Sequence, residues 1–310
     1  MRVLSKATAV AAIAVAVISL IGFLPLVPKY SQEWIRTFSE LLFWANFIAL
    51  GILIPYFWRS SRLLVSIITV IFVNLIFYWQ TVSPFFAQSA PLEITSSKKP
   101  IKILFAPNKA GVDITSLQNQ GIDLIFTKQE LGDEICREII SEDFSKITGE
   151  SDNLLMICAR SNTLHPQPDL NINEIDRTKD SISGSWQLDS QKLDLLYLNI
   201  NLPTSEREFL ISEKTIRRGL VRYRESTEDL LIAVSGVMGP GSIQRARIKK
   251  TIESKSIFEG YRAPRTWPKI FPITSDMEVF ISKGLLSTKP TILKDKLDYK
   301  PYGFVAEILD

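Results

Sequence analysis

Three long apolar runs open the chain, and the residues that separate them are charged or aromatic. The first run lies between Lys6 and Lys29, the second extends from about Thr37 to Trp58, and the third from Leu63 to about Phe86. A helix that crosses a bilayer needs about 20 predominantly apolar residues, and tryptophan and tyrosine gather near the ends of such helices. We therefore predict three membrane-spanning α-helices, which form an anchor over residues 1–86.

Two asparagines interrupt the apolar runs near their middles. Asn46 lies in the second run and Asn74 in the third. A polar side chain inside a membrane commonly hydrogen-bonds to a neighbouring helix. We therefore assign both asparagines to contacts between the helices rather than to a functional site.

The positive charges around the runs predict the orientation of the anchor. Two basic residues precede the first run, and Arg59 and Arg62 form the short loop after the second. The loop after the first run holds Lys29 and Arg36, partly offset by Glu33. Because cytoplasmic loops carry an excess of basic residues, we expect a cytoplasmic N-terminus, a cytoplasmic second loop and an extracytoplasmic C-terminal domain.

The pattern changes after the third run. Residues 87–100 are small and polar with two prolines, which is typical of a linker. Apolar runs of strand length then alternate with helical patterns such as Asp133–Ile140, Ser205–Tyr223 and Gln244–Ile252. This alternation predicts a separate α/β domain over residues 101–310. The expected strands are Ile101–Ala106, Ile122–Phe126, Leu154–Ala159, Leu193–Ile200, Leu230–Ser235, Val279–Ser282 and Phe304–Ile308.

The net charge differs between the two parts of the chain. There are 36 basic and 33 acidic residues, of which six and three lie in residues 1–95, so residues 96–310 hold 30 of each sign. A neutral domain lacks the positive footprint of a non-specific nucleic-acid binder. We therefore expect no nucleic-acid partner.

The two cysteines lie in different kinds of pattern. Cys136 falls in a helical pattern and Cys158 in an apolar run of strand length, with no CxxC or Cys/His cluster to indicate zinc. Free cysteine is often simply a buried core residue. We favour two unpaired buried thiols, and a disulfide outside the cytoplasm is the alternative.

Several segments of the domain, taken in order, resemble the endonuclease/exonuclease/phosphatase superfamily. They are IKILFAPN at 101–108, GIDLIFTKQEL at 121–131, RTWP at 265–268, VFISKGL at 279–285 and YGFVAEI at 302–308. The three predicted spans and the linker, which precede these segments, resemble the N-terminal part of the membrane-anchored members of that superfamily. The resemblance implies a DNase I-like fold, in which two β-sheets pack face to face with helices outside.

The resemblance also implies a chemistry, the metal-assisted cleavage of phosphate esters. In the family a glutamate holds Mg²⁺, an aspartate orients or deprotonates the attacking water, and a histidine stabilises the charge that develops on phosphorus. Magnesium takes hard oxygen ligands, so the carboxylates are needed. The metal-binding glutamate corresponds to Glu130, and the asparagine of the first strand to Pro107 or, with a shift of one residue, to Asn108.

Most other family positions carry different side chains here. A strand that ends in histidine in the family has Asn201, and the Gly-Asp-x-Asn segment has Val237 and Gly239 in place of its Asp and Asn. The Asp-His pair of the penultimate strand falls on Met277 and Glu278. We expect none of these positions to be catalytic.

The alignment of the last two motifs also argues against catalysis. A slip of one residue in the Asp-His pair offers Asp276, and the closing Ser-Asp-His motif has Lys300 and Pro301 in place of its Asp and His. An active member needs at least two histidines, whereas this chain has one. That residue, His165, lies outside every motif, and we expect it in a surface loop.

The densest positive cluster of the domain is a candidate binding surface. Arg217, Arg218 and Arg222 follow near-helical spacing. They could meet anionic lipid or an acidic partner. Because glutamates are interspersed among them, a solvated helix face is the favoured interpretation.

Three functions are compatible with these features. The leading hypothesis is a catalytically inactive domain, without a cofactor, that binds or scaffolds other membrane-protein subunits from its place in the lipid bilayer. The second is a phosphodiesterase or phosphatase that uses Mg²⁺ at an atypical site made by Glu130, Asp276 and Asn201. The third is a sensor that binds a phosphate-bearing ligand in the old pocket without hydrolysis. In the first case Glu130 is a structural relic and only a weak metal candidate.

Overall fold

The structure, a computed structural model, describes most of the chain. The described residues are 2–57, 62–83, 100–107, 114–118, 120–140, 144–148, 155–160, 164–166, 181–188, 191–221, 223, 229–258, 276–294 and 301–309. Most of the expected linker, the RTWP segment, Asn108, Arg222 and Lys300 therefore lie outside the described residues, and so does the side chain of Glu130.

Four helices make up the N-terminal part: α1 (Arg2–Ile21), α2 (Lys29–Thr37), α3 (Ser39–Phe57) and α4 (Arg62–Val82). Helices α1, α3 and α4 correspond to the three predicted spans, but α1 begins before Lys6 and ends earlier than expected. The chain turns away at Gly22, where a Cβ would lie 2.6 Å from Cγ2 of Ile35 in α2. The segment expected to be the first loop is itself helical, as α2.

The helices differ in how well they fit a membrane. Among the described residues, no single helix is both long and apolar enough for a crossing. The pair made by α2 and residues Ser39–Ile52 of α3, which meet at 70°, reaches the required length and composition only when the two are taken together. Val10–Ile21 and Val65–Trp79 are shorter apolar stretches. Membrane anchoring therefore stays a prediction from the sequence.

A buried polar network joins α1, α3 and α4. Asn46 Nδ2 donates to Ser19 Oγ at 2.7 Å, and Asn74 Nδ2 donates to Ala16 O at 3.0 Å and to Asn46 Oδ1 at 3.3 Å. The Tyr78 hydroxyl donates to Ser19 O at 3.1 Å. The prediction that both asparagines hydrogen-bond between helices is confirmed.

Two β-sheets form the C-terminal part. Their strands are β1 (Ile101–Ala106), β2 (Leu124–Lys128), β3 (Phe144–Thr148), β4 (Leu155–Arg160), β5 (Leu164–Pro166), β6 (Ser181–Leu188), β7 (Gln191–Asn199), β8 (Asp229–Ser235), β9 (Lys255–Ser256), β10 (Met277–Ile281), β11 (Leu286–Ser287), β12 (Thr291–Lys294) and β13 (Pro301–Leu309). The first sheet has the order β11-β13-β1-β2-β4-β3 with β12 beside β13, and the second has β5-β6-β7-β8-β10-β9. The central pairs β1–β2 and β7–β8 are parallel, and the other described pairs are antiparallel.

The main core lies between the facing surfaces of the two sheets. Along β1, Ile103 and Phe105 point into this core, whereas Leu104 points to the outer face. Because both faces of the strand are covered, its residues are apolar except for Lys102, which is only partly buried. The ring of Phe105 lies 5.7 Å from that of Tyr197 in β7 and 5.4 Å from that of Phe304 in β13.

Helix α6 (Gln129–Ile140), which follows the short α5 (Ile114–Leu117), covers the outer face of the first sheet. Its residues Ile135 and Cys136 pack into a buried layer with Cys158 of β4, and the two cysteines form a disulfide. The prediction of unpaired thiols was wrong. The pairing depends on α6 lying across β4 so that both side chains enter one layer, which the local patterns do not reveal.

Two helices cover the outer face of the second sheet: α7 (Glu206–Val221) and α8 (Ile243–Thr251). Ile216 and Leu220 of α7 and Ile248 of α8 pack with Leu198 and Phe280 of the sheet. The amino ends of both helices lie at the end of the sandwich where β7 and β8 finish.

Candidate functional site

One end of the sandwich collects the positions that the family resemblance singled out. The carboxyl ends of β1, β2, β7 and β8 lie there with the first residues of β10 and β13. Met277 pairs with Ser235 at the end of β8, and Phe304 pairs with Phe105 near the end of β1. The contact between the rings of Phe105 and Tyr197 joins the corresponding ends of the two sheets.

The loop after β8 turns sharply at Gly236. Its φ of 133° is a conformation that suits glycine, and a Cβ there would lie 1.7 Å from Ile200 O, just after β7. The Gly236 N–H donates to Asp276 O at 2.8 Å, just before β10. This glycine therefore holds three loops together.

Helix α2 packs against the next residues of this loop. A Cβ at Gly239 would lie 1.7 Å from the carbonyl oxygen of Thr37, the last residue of α2. The Gly241 N–H donates to Ser39 Oγ, at the start of α3, at 3.0 Å. Val237 is only 7% exposed. The N-terminal helices thus contact the C-terminal part of the chain directly.

Glu33 of α2 is fully buried at the amino end of α8. The Ser242 hydroxyl donates to Glu33 Oε1, and the Ile243 N–H donates to Oε2 at 2.6 Å. Ser242 Oγ in turn accepts the Arg245 N–H at 3.1 Å as the helix N-cap. A carboxylate is well suited to this place, because the first N–H groups of a helix lack partners and carry partial positive charge.

Burial raises the pKa of Glu33. The hydrogen bonds from Ser242, Ile243 and Gln244 and the positive charge of Arg36 lower it, but the loss of water around the carboxylate outweighs them. The buried carboxyl group therefore takes up a proton more readily than a carboxyl group in water does.

Two further contacts fix α2 beside α7. The Trp34 indole N–H donates to Pro203 O at 2.6 Å, in the loop between β7 and α7. The Tyr30 N–H donates to Glu206 Oε2, in the first turn of α7, at 3.4 Å. Helix α2 therefore bridges the amino ends of α7 and α8, and it covers the loop at residues 236–239.

Solved structures share the fold of the C-terminal part of this chain. The structure of humanized D. rerio TDP2 with 14 mutations matches with a TM-score of 0.51 at 13% identity, over 68% of this chain and 99% of that chain. D. rerio TDP2 complexed with single strand DNA product matches with 0.50 at 15% identity, over 69% and 100%. An endonuclease/exonuclease/phosphatase from Bacteroides vulgatus matches with 0.50 at 8% identity, over 68% and 99%. The chain has the DNase I-like fold.

At these identities, the likeness establishes the DNase I-like fold and not an activity. No protein-family model matches the sequence, and no curated protein sequence matches it. The expected architecture of the domain, two sheets face to face with helices outside, is confirmed.

A small polar cluster lies at the site end of the DNase I-like domain. Asn201 is exposed just after β7, and Asp276 is partly buried just before β10, so the two flank Gly236. Beneath them, burial raises the pKa of Tyr197. The neighbouring Ser235 lowers this pKa in part, and the negative charge of Asp276 raises it.

Met277 and Glu278 do not reach the surface at this end. Met277 points into the main core, and Glu278 points to the opposite face of β10, where Arg245 of α8 lies 3.5 Å away. Ser256 also donates to the Glu278 carboxylate. Both charged side chains are nearly fully buried, which fits a structural role for the pair in holding α8 on β10.

The described side chains at this end do not form the magnesium site that the family resemblance implies. Pro301 begins β13 at the site end, and Glu130 follows β2 there at the start of α6. Among the described residues, no three His, Cys, Asp or Glu side chains come together to hold a metal. The oxygen donors expected at Val237 and Gly239 are missing from those positions, so the residues present do not fit the ligand set that the family resemblance requires.

The other two predictions concern residues away from this end. Arg217 is exposed and Arg218 half-buried along α7, while Arg222 lies outside the described residues. His165 belongs to β5, where it pairs with Ser185 of β6, so its expected place in a loop was wrong.

Glu33, Trp34 and Ser242 were missed by the sequence analysis. The charges of α2 were considered only as loop charges that set membrane orientation. A signal was present at α8, because Ser242 begins a helix whose first turn contains no acid. A capping box would place a glutamate or glutamine at Arg245, and Glu33 supplies the missing carboxylate from a distant part of the chain.

Proposed function

We propose that this chain is a membrane-anchored DNase I-like protein without catalytic activity, which acts as a binding or scaffolding subunit of a membrane assembly. The observation that carries this proposal is the packing of α2 against residues 236–239. In an active relative this loop supplies an acid and an amide to the site. Here Val237 is buried and Gly239 touches the Thr37 carbonyl, so the loop packs against α2 instead of facing a substrate.

In this proposal α1, α3 and α4 cross the membrane, with the N-terminus in the cytoplasm and the domain outside it. One observation supports the three-span topology: helix α2, which links the first two spans, contacts the C-terminal domain, and three spans put both on the same side of the membrane. A second observation supports the orientation. The disulfide between Cys136 and Cys158 suits an oxidising, extracytoplasmic compartment.

The partners in this proposal are the lipid bilayer and other membrane-protein subunits. The domain carries equal numbers of positive and negative residues, which supports neither nucleic acid nor another strongly charged polymer as a partner. No cofactor is required. Purification of the full chain in mild detergent, followed by identification of the membrane proteins that remain bound, tests this part.

A phosphate-directed function is the second candidate, and the polar cluster favours it. Asn201 and Asp276 flank Gly236 at the end of the sandwich where α6 begins with Gln129 and Glu130. A phosphodiesterase or phosphatase built on these residues would require Mg²⁺ or Mn²⁺. A sensor would bind a phosphate-bearing ligand there without cleaving it, and that ligand would raise the Tm of the protein.

The decisive experiment is an assay of the full chain in detergent with Mg²⁺ and Mn²⁺. Suitable substrates are DNA, RNA, nitrophenyl phosphates, inositol phosphates and sphingomyelin. We expect no turnover above background, because a positioned general acid or base contributes roughly 10²–10⁴ in rate and the Val237 side chain cannot exchange a proton. A Glu130→Ala sample, prepared in parallel, measures the contribution of contaminating enzymes.

Two results would contradict the proposal. Metal-dependent turnover in the wild type that disappears in Glu130→Ala would show an active, rebuilt site. Turnover that appears only in Gly239→Ala, where the added Cβ displaces α2, would identify an enzyme that α2 inhibits.

A further inference from the structure

One face of α7 combines exposed apolar side chains with positive charges. Leu210, Ile211 and Val221 are 56%, 42% and 54% exposed. These residues lie three or four positions from exposed cations, so all share one face of the helix. The members of this face, called the α7 outer face below, are Arg207, Leu210, Ile211, Lys214, Arg217 and Val221.

The acidic residues of α7 contact α2, α8 and a residue just before the helix. Glu206 accepts the Tyr30 N–H of α2, and Glu213 pairs with Arg247 of α8 at 3.1 Å. Glu208 accepts from Thr204 at the helix start. Although the domain as a whole is neutral, the α7 outer face is therefore positive and apolar, as in helices that lie on an anionic membrane surface.

The α7 outer face also begins beside the anchor. Helix α2 starts eight residues after α1 ends and is followed almost directly by α3, so both of its ends are held at predicted spans. The first turn of α7 contacts the first turn of α2, through Glu206 and Tyr30. Leu210 is only about 6 Å further along α7, at about 1.5 Å per residue. Leu26, in the turn just before α2, is 95% exposed.

We infer that the α7 outer face lies on the anionic headgroups of the membrane that holds the anchor, with Leu210 and Ile211 in the interfacial layer. This inference rests on the proposed membrane anchoring. The contact fixes the tilt of the DNase I-like domain, and it makes that tilt depend on the lipid charge. Each cation near an anionic leaflet contributes about a fivefold preference for the docked state.

The test uses the full chain in lipid discs and a nitroxide on a single introduced cysteine. Both native cysteines are in the disulfide, so the label attaches selectively. Ile211→Cys reports on the α7 outer face. Lys283→Cys, where the native side chain is 84% exposed beyond the far end of β10, is the aqueous reference, and Ile76→Cys on α4 is the lipid reference.

In discs of phosphatidylcholine with phosphatidylglycerol, we expect collisions of the Ile211→Cys label with a water-soluble nickel complex to fall toward the lipid reference. Collisions with oxygen should rise. In discs of phosphatidylcholine alone, the label should stay closer to the aqueous reference. Adding Arg207→Glu and Arg217→Glu should abolish the difference between the two lipid compositions, whereas Arg207→Lys and Arg217→Lys should keep it.

The outcomes separate this inference from the anchoring on which it rests. If the Ile76→Cys label behaves like the aqueous reference, the anchoring is wrong. If that label is in lipid but Ile211→Cys matches the aqueous reference in anionic discs, the α7 contact is overturned and the anchor stands. Protection at Ile211→Cys that ignores lipid charge and disappears at one chain per disc would mean that a second copy covers α7, which also overturns the inference.

Discussion

The two sheets of the domain are covered by helices in different ways. Helix α6 on the first sheet is tied to β4 by the disulfide between Cys136 and Cys158, so this cover is complete within the domain. On the second sheet, α7 and α8 are held at their amino ends by α2. Trp34 hydrogen-bonds to the loop before α7, and Glu33 accepts a hydrogen bond from the first turn of α8. The second cover therefore depends on the N-terminal helices.

This difference bears on the proposed inactivity of the domain. The second sheet carries the loop after β8, in which a DNase I-like enzyme has an acid and an amide. A side chain at position 239 would occupy the space of the Thr37 carbonyl, so an asparagine there and α2 in its present place exclude each other. In the proposed function, Val237 and Gly239 therefore have a structural role, because the absence of a side chain at position 239 leaves room for α2.

The largest expected effect comes from removing the cover of the first sheet. The double variant Cys136→Ala with Cys158→Ala opens a loop whose ends are 22 residues apart, and the loss of such a cross-link costs about 3 kcal/mol of unfolding free energy. Denaturant unfolding of the full chain measures this loss. The reduced wild-type protein should show a similar midpoint.

Hydrogen exchange then tests whether the two covers are independent. In the double cysteine variant, peptides from α6 should exchange faster under native conditions, while those from α2 and from residues 236–243 should be unchanged. Faster exchange in α2 would show that the covers are coupled, and the comparison between the two sheets would fail.

The converse change is Gly239→Ala, which acts on the second cover. Its Cβ would lie 1.7 Å from the Thr37 carbonyl oxygen, and overpacking of this kind costs about 1–3 kcal/mol. We expect faster hydrogen exchange in α2 and at the start of α8, with α6 unchanged. Gly51→Ala in α3 is the matched control, because a Cβ there meets nothing within 4 Å. Unchanged exchange in α2 would show that this seat does not hold the helix.

The sequence predicted the parts of the fold that depend on local pattern. The bounds of β1, Ile101–Ala106, were predicted as observed, because burial on both faces makes every residue of the strand except Lys102 apolar. Strand β6 was missed, since among its described side chains Ile182, Gly184 and Trp186 are buried and the residues between them are serines. The seat of α2 was beyond such patterns, because Glu33 and Ile243 are 210 residues apart in sequence and each segment is unremarkable by itself.

The smallest expected effect, within about 1 kcal/mol for a helix-capping interaction, is the pH dependence of the contact between α2 and α8. Burial raises the pKa of Glu33 above its ordinary value of 4.5. A carboxyl group with a raised pKa in the folded protein contributes its stabilisation fully below the ordinary value, and that stabilisation is lost as pH rises through the folded pKa.

Glu33→Gln resembles the protonated form, since its amide can accept the Ile243 N–H at every pH. We expect the Tm of this variant to match the wild type near pH 4 and to equal or exceed it at neutral pH. Glu253→Gln, at the far end of α8 and exposed, is the matched control and should leave the wild-type profile unchanged. A wild-type Tm that rises relative to Glu33→Gln between pH 4 and pH 7 would show that the charged form is the one that holds α2 on α8.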